Sequence, residues 1–217
     1  MEQQHYSLIL GSQSPRRREL LRQIGLSFTV RTADVDETKY DTDDPEQTVC
    51  RICEAKSRAV AAALPRAGSG DPERALILTS DTIVVLDGRI MGKPKDEADA
   101  ARMLSALSGR EHAVYTAFSL LPAGEDLGDG RHTEYVKTLV RFRPLSADEI
   151  RAYIASGEPM DKAGAYGIQG LGATLVEGIE GDYFTVMGLP LCRVAQRLKE
   201  YGIDALAPER FGACEEN

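Results

Sequence analysis

The first apolar run, Tyr6-Ser-Leu-Ile-Leu10, predicts a strand, and the chain then turns polar at "GSQSP". Ser14 fits a helix N-cap and Pro15 the first helical position. Leu20, Leu21 and Ile24 form the inward stripe, and Gly25 falls just past the end. "SFTVRTADV" predicts a second strand ending near Asp36-Glu37. Asp44-Pro45-Glu46-Gln47 starts another helix, with Asp44 and Gln47 spaced as a capping box. Its stripe of Val49, Ile52, Cys53, Val60 and Ala63 carries it to about Leu64, and Lys56 lies on that same stripe.

"PRAGSGDPER" reads as a loop. "ALILTSDTIVVLDGRIMGKP" predicts a strand, a break at Ser80-Asp81, a second strand, an Asp87-Gly88 turn and a short return strand. Asp96 caps a helix ending at Gly109, "HAVYTAFSLLP" is a strand, and "AGEDLGDGRH" is a surface loop. In "YVKTLVRF", Val136, Thr138, Val140 and Phe142 point one way, Lys137 and Arg141 the other. Ser146 and Glu149 form a capping box for a helix ending near Gly157. After the glycine-rich "DKAGAYGIQGLGA", two strands, "TLVEGI" and "YFTVM", flank a Glu180-Gly181 turn, and Pro190 starts the last main helix, to about Tyr201. Interleaved helices and hairpin-linked strands predict an α/β fold with a mixed central sheet and flanking helices. One domain over residues 1–204 and a polar tail over 205–217 are expected.

Composition narrows the function. The 217 residues are 42% hydrophobic without tryptophan, which suits a folded domain with an aliphatic core. A formal charge of −8 disfavours a general nucleic-acid binder but leaves room for a local anion pocket. No run reaches the roughly 18 apolar residues of a membrane span, and "MEQQHYSLIL" lacks the basic start of an export signal. A cytoplasmic protein with reduced thiols is therefore expected. Cys50-x-x-Cys53 falls within a helix and has neither a second CxxC nor a histidine pair, which disfavours zinc or redox use.

Three arginines, Arg16, Arg17 and Arg18, follow Pro15 at a helix start, where the helix dipole disfavours cations. They either splay toward acids and solvent or converge with free amides on phosphate or carboxylate. Asp81 interrupts an apolar passage, as a turn residue, a metal ligand or a general base. Asp36 and Glu37 offer more carboxylate oxygens, or form a solvated pair. Lys56 either snorkels or reaches a phosphate, Lys93 and Lys95 flank Pro94, and Lys162 borders the glycine-rich stretch. Those glycines permit close backbone approach to a ligand, but they match neither G-x-G-x-x-G nor a Walker loop. His5, His112 and His132 show no metal spacing. Cations, carboxylates and a flexible loop together suit a nucleotide bound with a divalent metal, and attack of an activated water on phosphate.

Four stretches carry a resemblance: "LILGSQSPRRRELL", "SDTIVVLDGRIMGKPKD", "LSGREHAVYTA" and "DKAGAYGIQGLGATLVEGIEGDYFTVMGLPL". In this order they resemble the Maf family of nucleoside triphosphate pyrophosphatases, over roughly Leu8 to Leu198. The resemblance implies a Maf/ITPase-like mixed α/β fold with two lobes around a cleft. It implies metal-dependent cleavage (Mg²⁺ or Mn²⁺) of a triphosphate between its α and β phosphates, in the cytoplasm, and a homodimer. Asp81 matches the proton acceptor, and Glu37 with Asp81 the metal-holding acids. Ser12, Arg17, Lys56, Lys93 and Lys162 match pocket residues. Arg16, Thr82 and Gln169 side with the branch preferring dTTP and UTP, modified uridine triphosphates included, rather than 7-methyl-GTP. The family is associated with pool sanitation and with septum inhibition, so a non-catalytic nucleotide-binding module is the contrasting reading. Gly11 stands where the family has alanine in "LAS", and "TSDT" where it has "GADT". Gly11 is expected only to loosen the loop, and Ser80 leans toward the 7-methyl-GTP branch.

Overall fold

The computed structural model describes residues 6–64, 74–123 and 131–207. Seven strands form one mixed sheet: β1 (Tyr6–Leu10), β2 (Thr29–Val30), β3 (Arg74–Leu86), β4 (Arg89–Met91), β5 (Glu111–Pro122), β6 (His132–Phe142) and β7 (Val176–Glu180). Their order is β2-β1-β3-β5-β6-β7, with β4 paired to the far half of β3. The β1 pairings are parallel and all others antiparallel. The main helices are α1 (Pro15–Gln23), α2 (Pro45–Ala63), α3 (Glu97–Leu107), α4 (Ala147–Ala155), α5 (Tyr183–Met187) and α6 (Leu191–Glu200). The mixed sheet and flanking helices are those expected. The loops expected at "PRAGSGDPER" and "AGEDLGDGRH" lie largely outside the described residues, as does most of the tail.

Strand β3 is the spine, and its sequence divides it into three. Leu76, Ile77 and Leu78 are buried at one end and Ile83 to Leu86 at the other, with Thr79-Ser80-Asp81-Thr82 between them. The backbone runs unbroken through Ser80-Asp81, so the expected interruption is one of side-chain chemistry alone. Antiparallel pairing along nearly its whole length, from Leu76 opposite Pro122 to Val85 opposite Ala113, holds the backbone extended. Each face of the sheet consequently carries two apolar clusters with a polar waist between them. On the face bearing even-numbered β3 residues, Leu76, Leu78, Phe118 and Leu120 pack with α1 and α6, while Val84, Leu86, Val114 and Val140 pack with α3 and α4. On the other face α2 spans both ends, Val60 beside Ile77 and Val49 beside Ile83.

Three further expectations are corrected. The second strand is only Thr29–Val30, because β1 ends at Leu10 and leaves the chain beyond Arg31 no strand to pair with. "YFTVM" is helix α5, not a strand. Asp182 caps its start by accepting from the Phe184 and Thr185 amides, and Gly188, at φ 105°, closes its end, so two caps override the β-propensity of the residues between. Asp44 caps α2 through the Glu46 amide, but Gln47 bonds the Asp44 carboxylate instead of its amide, so the box is incomplete. The Ser146–Glu149 box is complete, and β6 alternates as its sequence requires.

Candidate active site

The ladder between β1 and β3 stops at Leu10 opposite Leu78, and β4 joins β3 only from Val84. Between them, residues 79–83 of β3 have no ladder partner on that edge among the described residues. A cavity of about 1270 Å³ opens there, lined by Ser12, Arg16, Arg17, Glu37, Lys56, Asp81, Thr82, Lys93, Lys162 and Gln169, the residues that the family resemblance singled out, but not by Asp36. Ligand clefts of open α/β sheets form where strands diverge in this way.

Asp81 points from the waist toward α2. Its carboxylate accepts from Lys56 Nζ at 2.6 Å, and the same ammonium reaches Glu37 Oε1 at 2.7 Å. Lys56 is thus no snorkelling lysine: α2 delivers it to the buried acid, and the short 3₁₀ turn Glu37–Tyr40 brings the second carboxylate across. Burial raises the pKa of Asp81, against the pull of Lys56 and Arg17. Burial works to lower Lys56, but the charge and hydrogen bond of Asp81, with Glu37, raise it and keep it charged.

The opposite face of the waist carries hydroxyls in place of acids. Thr82 Oγ1 lies 2.9 Å from Thr116 Oγ1, and Thr116 donates to the Thr185 carbonyl at 2.7 Å. Arg17 closes this chain, donating to the Gly188 carbonyl at 2.7 Å, to Ser12 Oγ at 3.1 Å and to Thr82 Oγ1 at 3.2 Å. Burial draws its pKa down, with Asp81 opposing. The three arginines therefore have different fates. Arg17 is fixed as a strut, Arg16 lies 3.8 Å from Asp161 at the rim, and the buried Arg18 Nε has no hydrogen-bond partner among the described residues. Ser14 holds the N-cap position without a side-chain cap bond. Ser80 is buried, and its hydroxyl lies 2.8 Å from the Ala117 carbonyl and 2.9 Å from the Gly188 carbonyl, so its one proton serves a scaffold carbonyl.

Gly11 does more than loosen a loop. A methyl group there would lie 2.6 Å from Thr79 Cγ2 and 3.2 Å from Val60 Cγ2. The family's alanine and glycine are here glycine and threonine, so the two departures compensate in volume across neighbouring strands.

The glycine-rich segment brings Gln169, exposed, and Lys162 to the far wall of the cavity. Lys162 donates to the Glu158 carbonyl at 2.5 Å and to Asp161 Oδ1 at 2.6 Å, which anchors the segment's start. Lys93 stands exposed beside β4, whereas Lys95 lines a second, smaller cavity instead. Sequence reasoning missed Thr116, the Gly188 carbonyl, Tyr153 and Glu158. Only Glu158 left a trace, as an acid just ahead of the glycine run.

His112 is packed against Phe142 and Tyr166, bonds the Tyr166 hydroxyl at 2.7 Å, and burial pushes its pKa down to about 4. Burial pushes the Cys50 and Cys53 thiols up to about 11 and about 12, the wrong direction for a thiolate ligand. Among the described residues no cluster of three or more metal-ligating side chains exists. Two carboxylates meeting on one ammonium nevertheless fit a hard divalent cation of the Mg²⁺ kind, which uses one or two carboxylates and completes its shell with water and substrate phosphate. Among the described residues no helix is long and apolar enough to cross a membrane.

A buried acid with its own lysine thus lies in a cleft of a mixed α/β sheet, lined by both acids and cations. The family pattern described as Maf-like protein matches residues 7–201, and the chain belongs to that family. A dTTP/UTP pyrophosphatase of Moorella thermoacetica is 50% identical over 197 residues, 91% of this chain and 96% of that protein. One of Symbiobacterium thermophilum is 48% identical over 195 residues, covering 90% and 94%. Among solved structures, a nucleoside-triphosphatase / dITP/XTP pyrophosphatase from Mycobacterium abscessus covers 93% of this chain and 99% of its own. It does so at 13% identity with a TM-score of 0.41, a loose likeness on which nothing further rests.

Proposed function

We propose that this chain is a nucleoside triphosphate pyrophosphatase that hydrolyses dTTP and UTP to the monophosphate and pyrophosphate. The observation that carries this reading is the Lys56–Asp81 pair on the cleft floor, 2.6 Å apart and sheltered from water, in a chain 50% identical to a dTTP/UTP pyrophosphatase. Asp81 takes the proton of a water whose oxygen bonds to the α-phosphorus. The bond from that phosphorus to the bridging oxygen breaks, and pyrophosphate leaves with the electron pair. A carboxylate with a raised pKa suits this task, because a base works best when its pKa approaches the working pH.

Lys56, Lys93, Lys162 and Arg16 meet the charge that builds on the leaving pyrophosphate, and Arg17 holds Ser12 and Thr82 where they line the phosphate path. Glu37 and Asp81 would hold Mg²⁺ or Mn²⁺, which would neutralise phosphate charge and make water more acidic. The Gln169 amide offers one donor and one acceptor to the O4 and N3–H edge of uracil or thymine. Ser80, the residue leaning toward 7-methyl-GTP, has its hydroxyl occupied elsewhere, so no observation favours that branch. We place the enzyme in the cytoplasm, acting on free nucleotides as a homodimer.

The test is pyrophosphate release from a panel of nucleoside triphosphates, with and without Mg²⁺ or Mn²⁺. Metal-dependent turnover fastest on dTTP and UTP is expected. Fastest turnover on 7-methyl-GTP would overturn the base assignment, and binding without turnover on any substrate would overturn the enzyme.

A further inference from the structure

The glycine-rich segment wraps around the protein's own carboxylate. Glu158 Oε2 accepts from the Leu171 amide at 2.9 Å, and Oε1 accepts from the Gly172 amide at 3.0 Å and from the Tyr153 hydroxyl at 2.9 Å. Tyr153 in turn accepts from the Gly167 amide at 3.2 Å. These bonds grip the segment on both sides of Gln169, at positions 167, 171 and 172. Gly172 fits only because it lacks a side chain: a methyl group there would lie 2.1 Å from the Gly167 carbonyl oxygen and 2.7 Å from the Tyr153 hydroxyl. Ile168 is buried in the core beneath, and Gln169 is exposed between the held positions 167 and 171. Burial works to raise the pKa of Glu158, yet the two amides and the hydroxyl leave it below its ordinary value, as expected of a carboxylate serving as a fixed acceptor.

We infer that Glu158, seconded by Tyr153, is a positioning residue for base selection: it fixes the backbone that presents Gln169 to the substrate base. It touches neither phosphate nor reacting water. The inference rests on the reading of Gln169 as the residue that meets uracil or thymine. Gln cannot replace Glu158, because its amide group keeps one acceptor oxygen and turns a donor toward the backbone amides. Freed from that anchor, the segment presents Gln169 in many orientations, and discrimination falls while the phosphate end is unchanged.

The experiment compares kcat/KM for dTTP, dCTP and a base-free ribose 5-triphosphate in the wild type, Glu158→Gln, Gln169→Ala and the double variant. Expected is a fall in the dTTP-to-dCTP ratio of about tenfold for each single variant, with no further fall in the double, because both act through one interaction. Turnover of the base-free substrate should change far less. Tyr153→Phe, a milder change, should move the ratio in the same direction by a smaller factor, which keeps the test alive if Glu158→Gln folds poorly. An equal loss on all three substrates would make Glu158 merely structural and overturn the inference, as would a lowered ratio in Gln169→Ala with an unchanged one in Glu158→Gln. An unchanged ratio in Gln169→Ala would overturn the reading of Gln169 itself, and the inference with it.

Discussion

The two faces of the β3 waist use the same strand differently. Toward α2 the waist presents Asp81, bound to a lysine that also holds Glu37. Toward α5 it presents Ser80 and Thr82, whose hydroxyls meet carbonyls, another threonine and a fixed arginine. Adjacent residues point to opposite faces of a strand, so a single step along the chain separates an acid–lysine site from a frame of hydroxyls and one fixed arginine. Ionic partners with different accessible states can exchange protons and ligands, whereas short hydroxyl-to-carbonyl bonds have one good arrangement and keep it. In the proposed reaction, chemistry belongs to the first face and rigidity to the second.

The sharpest way to break this contrast is Asp81→Asn, which keeps the shape and removes the base. Turnover on dTTP should fall about a thousandfold while the thermal midpoint moves little. A variant that retains most of its rate would take the chemistry away from this face. Next comes the packing that seats the waist. Gly11→Ala should cost about 2 kcal/mol in a denaturant titration, because the new methyl meets Thr79 Cγ2. Adding Thr79→Ser deletes that methyl and keeps the hydroxyl that bonds the Cys53 carbonyl, so the double variant should recover most of the loss. No recovery would mean that the two positions do not share one space. Smallest is Thr116→Val on the hydroxyl face, which removes the hydroxyl between Thr82 and the Thr185 carbonyl. Stability should fall by about 1–2 kcal/mol with kcat within about threefold of wild type. A hundredfold loss of kcat there would place the hydroxyl chain in the chemistry and erase the distinction between the faces.

Much of this was legible in the chain itself. Apolar runs and caps located β1, α1, α2, α3 and α4, and the polar step at Thr79–Thr82 marked the site because a carboxylate inside an apolar strand needs a partner. Asp81, Lys56 and the arginines stood out by being in the wrong company. What stayed hidden depends on who pairs with whom. The truncation of β2 follows from where β1 ends, which no local pattern records. Helix α5 was masked by β-branched and aromatic residues, although Asp182 and Gly188 were visible at its ends. Thr116, Tyr153 and Glu158 act across 34, 14 and 13 residues of sequence; an ordinary threonine or tyrosine carries no mark of such distant partners, and Glu158 showed only its place just ahead of the glycine run.

The open edge of β3 has one more consequence. Between Leu78 and Val84 the strand lacks a ladder neighbour on one side among the described residues, and an unpaired edge ordinarily invites a strand from another molecule. Here the gap lies in mid-sheet, with β1 at one end and β4 at the other, and the waist between them is polar. An intruding chain would need to be only a few residues long and would have to set its side chains against Asp81 and its lysine. The opening proposed to admit a small, highly charged ligand is therefore closed to cross-chain aggregation by its length and its charge.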